Sequence, residues 1–417
     1  MLLFNTFIYI FNPYILGINS IYLLCAFYLA KTAFDTKFRK ILASHIVTLE
    51  VFRVFMMALL VVFVSMTALL VHGTQDLSFV VPLLNQIFKL VVGLLLYSHF
   101  LEKDKTDAVL YCIYAFAIQA ILQIISFFSY EVNDFLNAFR DLDAVETGML
   151  HYGGYRGLVV GSSSFFSISA AYALMFVIVA EYWSKIQFSK VFKVLMLIAM
   201  VFASISAGRT AFGGIIIAVA VTIVLKLLKR KPKIKKLRLS PMSIVYVCGI
   251  VSLFLIVFML DANKIINVAI DSSNLQKIES YIRYAFEFIY NYLNGRGFTT
   301  ASTNVLSEMY FPVSPKTFLF GDGMYTGEFG GYYMKTDAGY MRQVLYFGIF
   351  GLAVLFVFQF MFFYYKQSKT TKIFSVSIFI LLLILHYKGE VIGYLQITQC
   401  ILLLRMLSQT HEVKKSD

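Results

Sequence analysis

The sequence predicts an all-α polytopic membrane protein, and three observations predict it. Apolar residues make up 59% of the 417 positions and charged residues 14%, against about 25% charged in soluble domains. Mean hydropathy is +0.77. The apolar residues fall in runs of about 20, the length that carries a helix across about 30 Å of hydrocarbon. A soluble enzyme of this size needs more surface charge, and a disordered chain has less apolar content, so both classes are excluded.

Runs of spanning length occur at about 8–30, 50–71, 79–101, 107–129, 157–180, 191–208, 210–228, 242–261, 337–363, 373–387 and 390–407. They predict about 11 (10–12) transmembrane helices in one integral membrane domain, 1–417. Tyr182-Trp183 and Tyr364-Tyr365 sit near span ends, as in an aromatic belt. Met1 to Ala30 lacks the basic start and small-residue cleavage site of a signal peptide and reads as a retained first span. The Asn12-Pro13 break offers a hairpin there instead.

The net charge of +13 does not indicate nucleic acid, because the basic residues lie largely in short loops. Alternate connections hold 22 of the 36 Lys and Arg, including Lys31 to Lys40, Lys226 to Arg238 and Tyr364 to Lys372. The opposite set holds 11, so the positive-inside rule puts the first set and the C-terminus in the cytoplasm. Two long loops then face outward, Tyr130 to Arg156 and 262–336. In the second, between the eighth and ninth spans, Leu275, Ile278, Ile282, Ala285, Phe286, Ile289 and Leu293 recur at helical spacing. They predict an amphipathic helix over 275–293, on the membrane surface or over the bundle. From Gly297 to Gly331 the pattern reads as loop.

Arginines on the outer side are the candidate chemistry. Arg156 ends the first outer loop, Arg283 and Arg296 lie in the second, and Arg342 lies just inside the ninth span. Arg209 occupies a short turn, Ser206-Ala-Gly-Arg209-Thr210, between apolar runs, where an unpaired charge is costly. It reads as a functional group or as a side chain snorkelling to the interface. A guanidinium matches phosphate oxygens bidentately, so several in one cavity suit a pyrophosphate. Arg283 reads equally as one rung of a Glu279, Arg283, Glu287 ladder. Asp322 sits in the tight turn Phe320-Gly-Asp-Gly323. Thr336 or Asp337 reads as a helix N-cap, or Asp337 as a general base for a hydroxyl. Arg53, one turn after Glu50, and Lys89 read as structural groups within spans. No GxxxxGK[ST], HExxH or GxSxG motif occurs, and no metal or other cofactor is predicted.

Three stretches together resemble the C-terminal signature of Wzy-type O-antigen and capsular polysaccharide repeat-unit polymerases. They are Phe320-Gly-Asp-Gly-Met-Tyr, Thr336-Asp337-Ala-Gly339-Tyr340-Met-Arg342 and Tyr346-Phe-Gly348-Ile-Phe-Gly351. Ser206-Ala-Gly-Arg209-Thr210 is similar to the family's S-x-x-R-T turn, and Tyr155-Arg156-Gly157 to Gly161 to its R-x-x-G segment. The resemblance covers about residues 150–360. It implies a GT-C-like, metal-independent glycosyltransferase in the bacterial cytoplasmic membrane, with its active site facing the periplasm. The donor and acceptor implied are undecaprenyl-pyrophosphate-linked glycans, with the lipid bilayer as medium and a chain-length regulator and a flippase as conceivable partners. Arg209 and Arg283, with Arg156 assisting, would hold the pyrophosphate. Asp337 would orient or deprotonate the acceptor. Arg296, Asp322, Tyr340 and Arg342 complete the implied substrate-binding set.

Two rival readings differ in class or in product. An O-antigen ligase shares the topology but usually carries a functional histidine in the large outer loop, and 262–336 holds none. A lipid-linked oligosaccharide flippase usually lacks so long an outer loop and places charges deep in its spans.

Overall fold

A computed structural model describes residues 1–46, 48–143, 145–146, 159–161, 165–228, 272–297, 299–327 and 330–416. Helices are numbered here in chain order. Eight are long and apolar enough to cross a membrane: α4 (Leu49–His72), α5 (Val80–Glu102), α6 (Ala108–Phe128), α8 (Phe165–Tyr182), α9 (Lys190–Ala207), α10 (Ala211–Leu228), α14 (Gly339–Met361) and α15 (Lys369–Lys388). The chain is an all-α polytopic membrane protein. Each of the eight occupies one of the eleven apolar runs.

The other three runs differ. The first is two shorter apolar helices, α1 (Leu2–Phe11) and α2 (Ser20–Phe34), joined by a hairpin of β1 (Tyr14–Ile15) and β2 (Ile18–Asn19). Asn12 closes α1 in the left-handed region at φ 49°, Pro13 follows without an N–H, and Asn19 caps α2 by accepting from the Ile21 N–H. The run at 242–261 lies outside the described residues. The last begins six residues late, as α16 (Gln396–Ser416), because Glu390 to Leu395 is turn rather than helix. Its side chains from Ile397 to Leu407 are almost wholly buried, Arg405 among them.

Helix ends follow local chemistry. Ser189 and Ser368 each accept the N–H three residues on to start α9 and α15, and Gly73 closes α4 at φ 63°. α14 departs from expectation: its N-cap is Ala338, with no side-chain cap. The Thr336 hydroxyl instead accepts the Ala338 N–H at 3.3 Å and donates to the Met309 carbonyl at 3.1 Å. Asp337 therefore does not cap. The stretch read as loop also contains helices, α12 (Ala301–Glu308) and α13 (Pro315–Phe320), the second started by Ser314 with Pro315 in its first turn.

The backbone divides into two compact units, with the division falling inside α6. The first comprises Met1–Asn12, Ile18–Ala115 and Ala301–Asp417. Its aromatic knot is Phe79, wholly buried, with the rings of Tyr325, Tyr346, Phe347 and Tyr394 at 4.7–5.3 Å. The second comprises Pro13–Gly17 and Phe116–Thr300. There α11 (Ser272–Leu293) buries Tyr281, Ile282, Ala285 and Phe286 against Phe127 and Ile205. The Tyr281 ring stacks on Phe202 at 4.7 Å, and its hydroxyl donates to the Phe202 carbonyl. The apolar face of this amphipathic helix is thus covered by α6 and α9.

Candidate functional site

Two polar clusters hold the candidate residues, one in each unit. In the second unit, Gly208 ends α9 and Arg209 and Thr210 form the turn into α10. Ser169 of α8 fixes that turn: its hydroxyl donates to the Gly208 carbonyl at 2.5 Å, contacts the Thr210 hydroxyl at 2.8 Å and accepts the Ala211 N–H at 3.1 Å. Arg209 leaves the turn with 12% of its side chain exposed and forms an ion pair with Glu287 of α11. Its guanidinium also lies 4.7 Å from the Tyr284 ring and donates to the Tyr284 carbonyl. Glu287 is thereby drawn away from the expected ladder with Arg283. Arg283 pairs only with Glu279 among the described residues, at 2.9 Å, with 74% of its side chain exposed. Arg283 and Glu287 are four residues apart on α11, with a break in helical geometry at Phe286 (φ −115°, ψ 19°) between them. Arg296 is exposed in the turn closing α11, its N–H on the Asn291 carbonyl. Arg156 lies outside the described residues.

In the first unit, Arg342 of α14 is enclosed. Its guanidinium pairs with Glu390 at 2.7 Å and lies 3.6 Å from the Tyr325 ring and 4.3 Å from the Tyr332 ring. The Tyr325 hydroxyl donates to the same Glu390 oxygen. Both members of the ion pair are under 10% exposed. Burial pushes the Glu390 carboxyl up to about 7, against the opposing pull of Arg342 and the Tyr325 hydroxyl, with the nearby Asp337 charge adding to the rise. Asp337 is half-buried, and that burial raises its pKa although Lys388 and Arg342 pull it down. Two carboxylates and two cations thus share one end of α14 and α15.

The remaining candidates are engaged in the structure of this unit. Asp322 accepts from the Thr317 hydroxyl at 2.8 Å and from the Tyr333 hydroxyl at 3.4 Å. Tyr340 donates to the Leu383 carbonyl at 2.9 Å, tying α14 to α15. Asp76, which the sequence did not single out, is the strongest acceptor of the cluster. It takes the Tyr325 and Thr326 N–H groups at 2.6 Å each and the Thr326 hydroxyl at 2.9 Å. Burial works to raise its pKa, but bonds from Ser78, Thr326 and Tyr325 outweigh it and hold the carboxyl at about 2.

The two signature stretches 320–323 and 346–351 dock on each other. Gly348 interrupts α14 at φ 70°, which frees carbonyls one turn earlier. The Leu345 carbonyl accepts the Asp322 N–H at 2.7 Å, and the Tyr346 carbonyl accepts the Gly323 N–H at 3.0 Å. The G-D-G turn is therefore the hydrogen-bond partner of a broken helix, which needs partners for its freed backbone groups.

No protein-family model, curated protein or solved structure matches this chain significantly. Fold and clusters define a multi-pass helical membrane protein with arginine–carboxylate pairs at its helix ends. Among the described residues no group of three or more His, Cys, Asp or Glu is placed to hold a metal ion.

Proposed function

We propose that this protein joins polyprenyl-pyrophosphate-linked oligosaccharide repeat units into a surface polysaccharide, by glycosyl transfer on the outer face of a bacterial cytoplasmic membrane. The finer topology belongs to the same reading: about eleven spans, a large outer loop over 262–336 and a cytoplasmic C-terminus. The observation that carries it is the Arg209–Glu287 pair, with Arg283 four residues before Glu287 on the same helix. A guanidinium carried by a turn that Ser169 fixes, and paired with a carboxylate, is a preorganised anion site in its unloaded form. A diphosphate carries more charge than a carboxylate and exchanges for Glu287 with gain. Arg209 and Arg283 then hold the donor diphosphate and stabilise the charge that grows as it leaves. Arg156 assists in this reading, and Arg296 belongs to its substrate-binding set.

The acceptor hydroxyl needs a general base, and Asp337, the candidate the sequence offers, has its pKa raised by burial. Arg342, Asp322 and Tyr340 support the helix end that carries it. The growing glycan leaves its own carrier for the incoming repeat unit. The C–O bond to diphosphate breaks, the bond to the acceptor oxygen forms, and free polyprenyl diphosphate departs.

Deleting the gene in its host tests this reading. Surface polysaccharide should lose its long ladder while single repeat units remain on lipid or on the final acceptor. Long polymer stranded on the lipid carrier would instead indicate a ligase, and repeat units trapped on the cytoplasmic leaflet a flippase.

A further inference from the structure

A cavity of about 560 Å³ lies at the opposite end of α14 and α15 from Asp337 and Glu390, between the starts of α4 and α15 and the end of α14. Its walls are sorted by chemistry. At the helix ends stand Arg53, Lys366 and Lys372, with Glu50 the one carboxylate. Deeper along α15 stand Val376 and Ile380, faced by Phe360 of α14, each 45–53% exposed. From Lys372 to Ile380 is eight residues, about 12 Å of rise into the hydrocarbon. A charged mouth therefore leads directly into an apolar, outward-facing groove.

Two of the mouth's cations have no side-chain hydrogen bond or ion pair among the described residues. Among the described residues Arg53 makes no hydrogen bond or ion pair. Its guanidinium lies over the Tyr364 ring at 5.2 Å, which leaves its fork of N–H donors available. Lys372 likewise has no side-chain partner among the described residues. Gln367 is also on the wall, and its side-chain oxygen has no donor among the described residues. Arg53 and Lys372 seek an anion, the Gln367 oxygen seeks a hydroxyl, and the apolar groove seeks a chain.

We propose that this cavity binds an anionic glycerophospholipid. The phosphate sits against Arg53 and Lys372, a headgroup hydroxyl donates to Gln367, and an acyl chain lies along Phe360, Val376 and Ile380. A phosphate group is common to lipid headgroups and free phosphate, but only a lipid uses both halves of the cavity. On the orientation proposed above this is the cytoplasmic leaflet; the binding itself does not depend on that orientation or on polymerase activity.

Native mass spectrometry of the purified chain in mixed micelles tests it. Phosphatidylglycerol should be retained in preference to phosphatidylcholine. Arg53→Ala with Lys372→Ala should weaken phosphatidylglycerol retention about thirtyfold, at about one order of ten per 1.4 kcal/mol and about 1 kcal/mol per cation. Retention of phosphatidylcholine should not change. Undiminished phosphatidylglycerol retention in the double variant overturns the proposal. Displacement of the lipid by millimolar inorganic phosphate alone overturns the lipid assignment in favour of a soluble anion. Should the double variant not fold, the wild-type protein decides the matter with a diazirine-bearing phosphatidylglycerol. Cross-links concentrated in residues 360–380 support the site, and cross-links absent there, or equal with a phosphatidylcholine probe, overturn it.

Discussion

Gly348 and Leu319 touch backbone to backbone: a Cβ built on Gly348 would lie 2.2 Å from the Leu319 carbonyl oxygen. Gly321 makes the reciprocal approach, its Cβ position 2.4 Å from the Tyr346 oxygen. Both atoms struck are backbone and cannot swing aside. Gly348 also sits at φ 70°, where a side chain adds strain. Gly348→Ala should therefore cost about 2–4 kcal/mol. The thermal midpoint in detergent should drop by several degrees, read by fluorescence-detected size exclusion. An unchanged midpoint would mean that the G-D-G turn does not dock on the broken helix.

That contact explains why much of the fold was legible and part of the site was not. Runs such as 50–71 and 210–228 are long and almost free of charge, so hydropathy alone locates α4 and α10. The amphipathic spacing of Ile278, Ile282, Ala285 and Ile289 likewise reports a face that another helix must cover. Pairings across the sequence leave no such trace. Arg283 has a glutamate four residues away on either side, and spacing cannot say that Glu287 belongs to Arg209 instead. Glu390 reads as the polar start of an apolar run at 390–407, yet it is the buried counter-ion of Arg342. A lone acid between Gly389 and Val391-Ile392 was the signal available. Asp76 left none, because an aspartate in a short loop reads as solvated.

Asp76 gives an acid-side prediction. Its folded pKa, about 2, lies below the ordinary 3.8. The unfolded chain then binds more protons, so the stabilisation is present above about pH 4 and is lost as pH falls towards 2. Asp76 is partly exposed, and solvent screening limits its contribution to about 1 kcal/mol. Asp76→Asn should lower the midpoint at pH 7 and flatten the profile between pH 4 and 2. A variant as acid-sensitive as the parent would show that the Tyr325 and Thr326 N–H bonds do not hold the charged form.

The Arg209–Glu287 pair gives an activity prediction. Arg209→Lys keeps the charge and loses the fork, and on the proposed function polymerisation in a complemented deletion strain should fall at least a hundredfold. Glu287→Gln removes the competitor for the guanidinium. It should leave the protein folded and lower the substrate concentration needed for half-maximal rate. Wild-type ladder length with Arg209→Lys would remove Arg209 from the diphosphate site. A loss of activity with Glu287→Gln equal to that of Arg209→Lys would make the pair structural rather than competitive.

The Arg342–Glu390 pair separates stability from charge. Glu390 has a folded pKa of about 7 against an ordinary 4.5. The folded state holds the extra proton, so its contribution is present below about pH 4.5 and is lost as pH rises to about 7. Removing Arg342 leaves Glu390 buried with no counter-ion, which costs about 3–5 kcal/mol when the carboxyl is ionised. Arg342→Gln should thus be most damaging above pH 7 and milder at pH 5, where the carboxyl carries its proton. Glu390→Gln should flatten the stability profile between pH 4.5 and 7. The double variant should recover most of the loss, because two neutral amides can pair where two charges did. Midpoints measured at pH 5, 6, 7 and 8 for the four proteins complete the cycle. Equal damage by Arg342→Gln at every pH would mean that Glu390 stays protonated throughout, and that the Tyr325 and Tyr332 rings, rather than the ion pair, hold Arg342 in place.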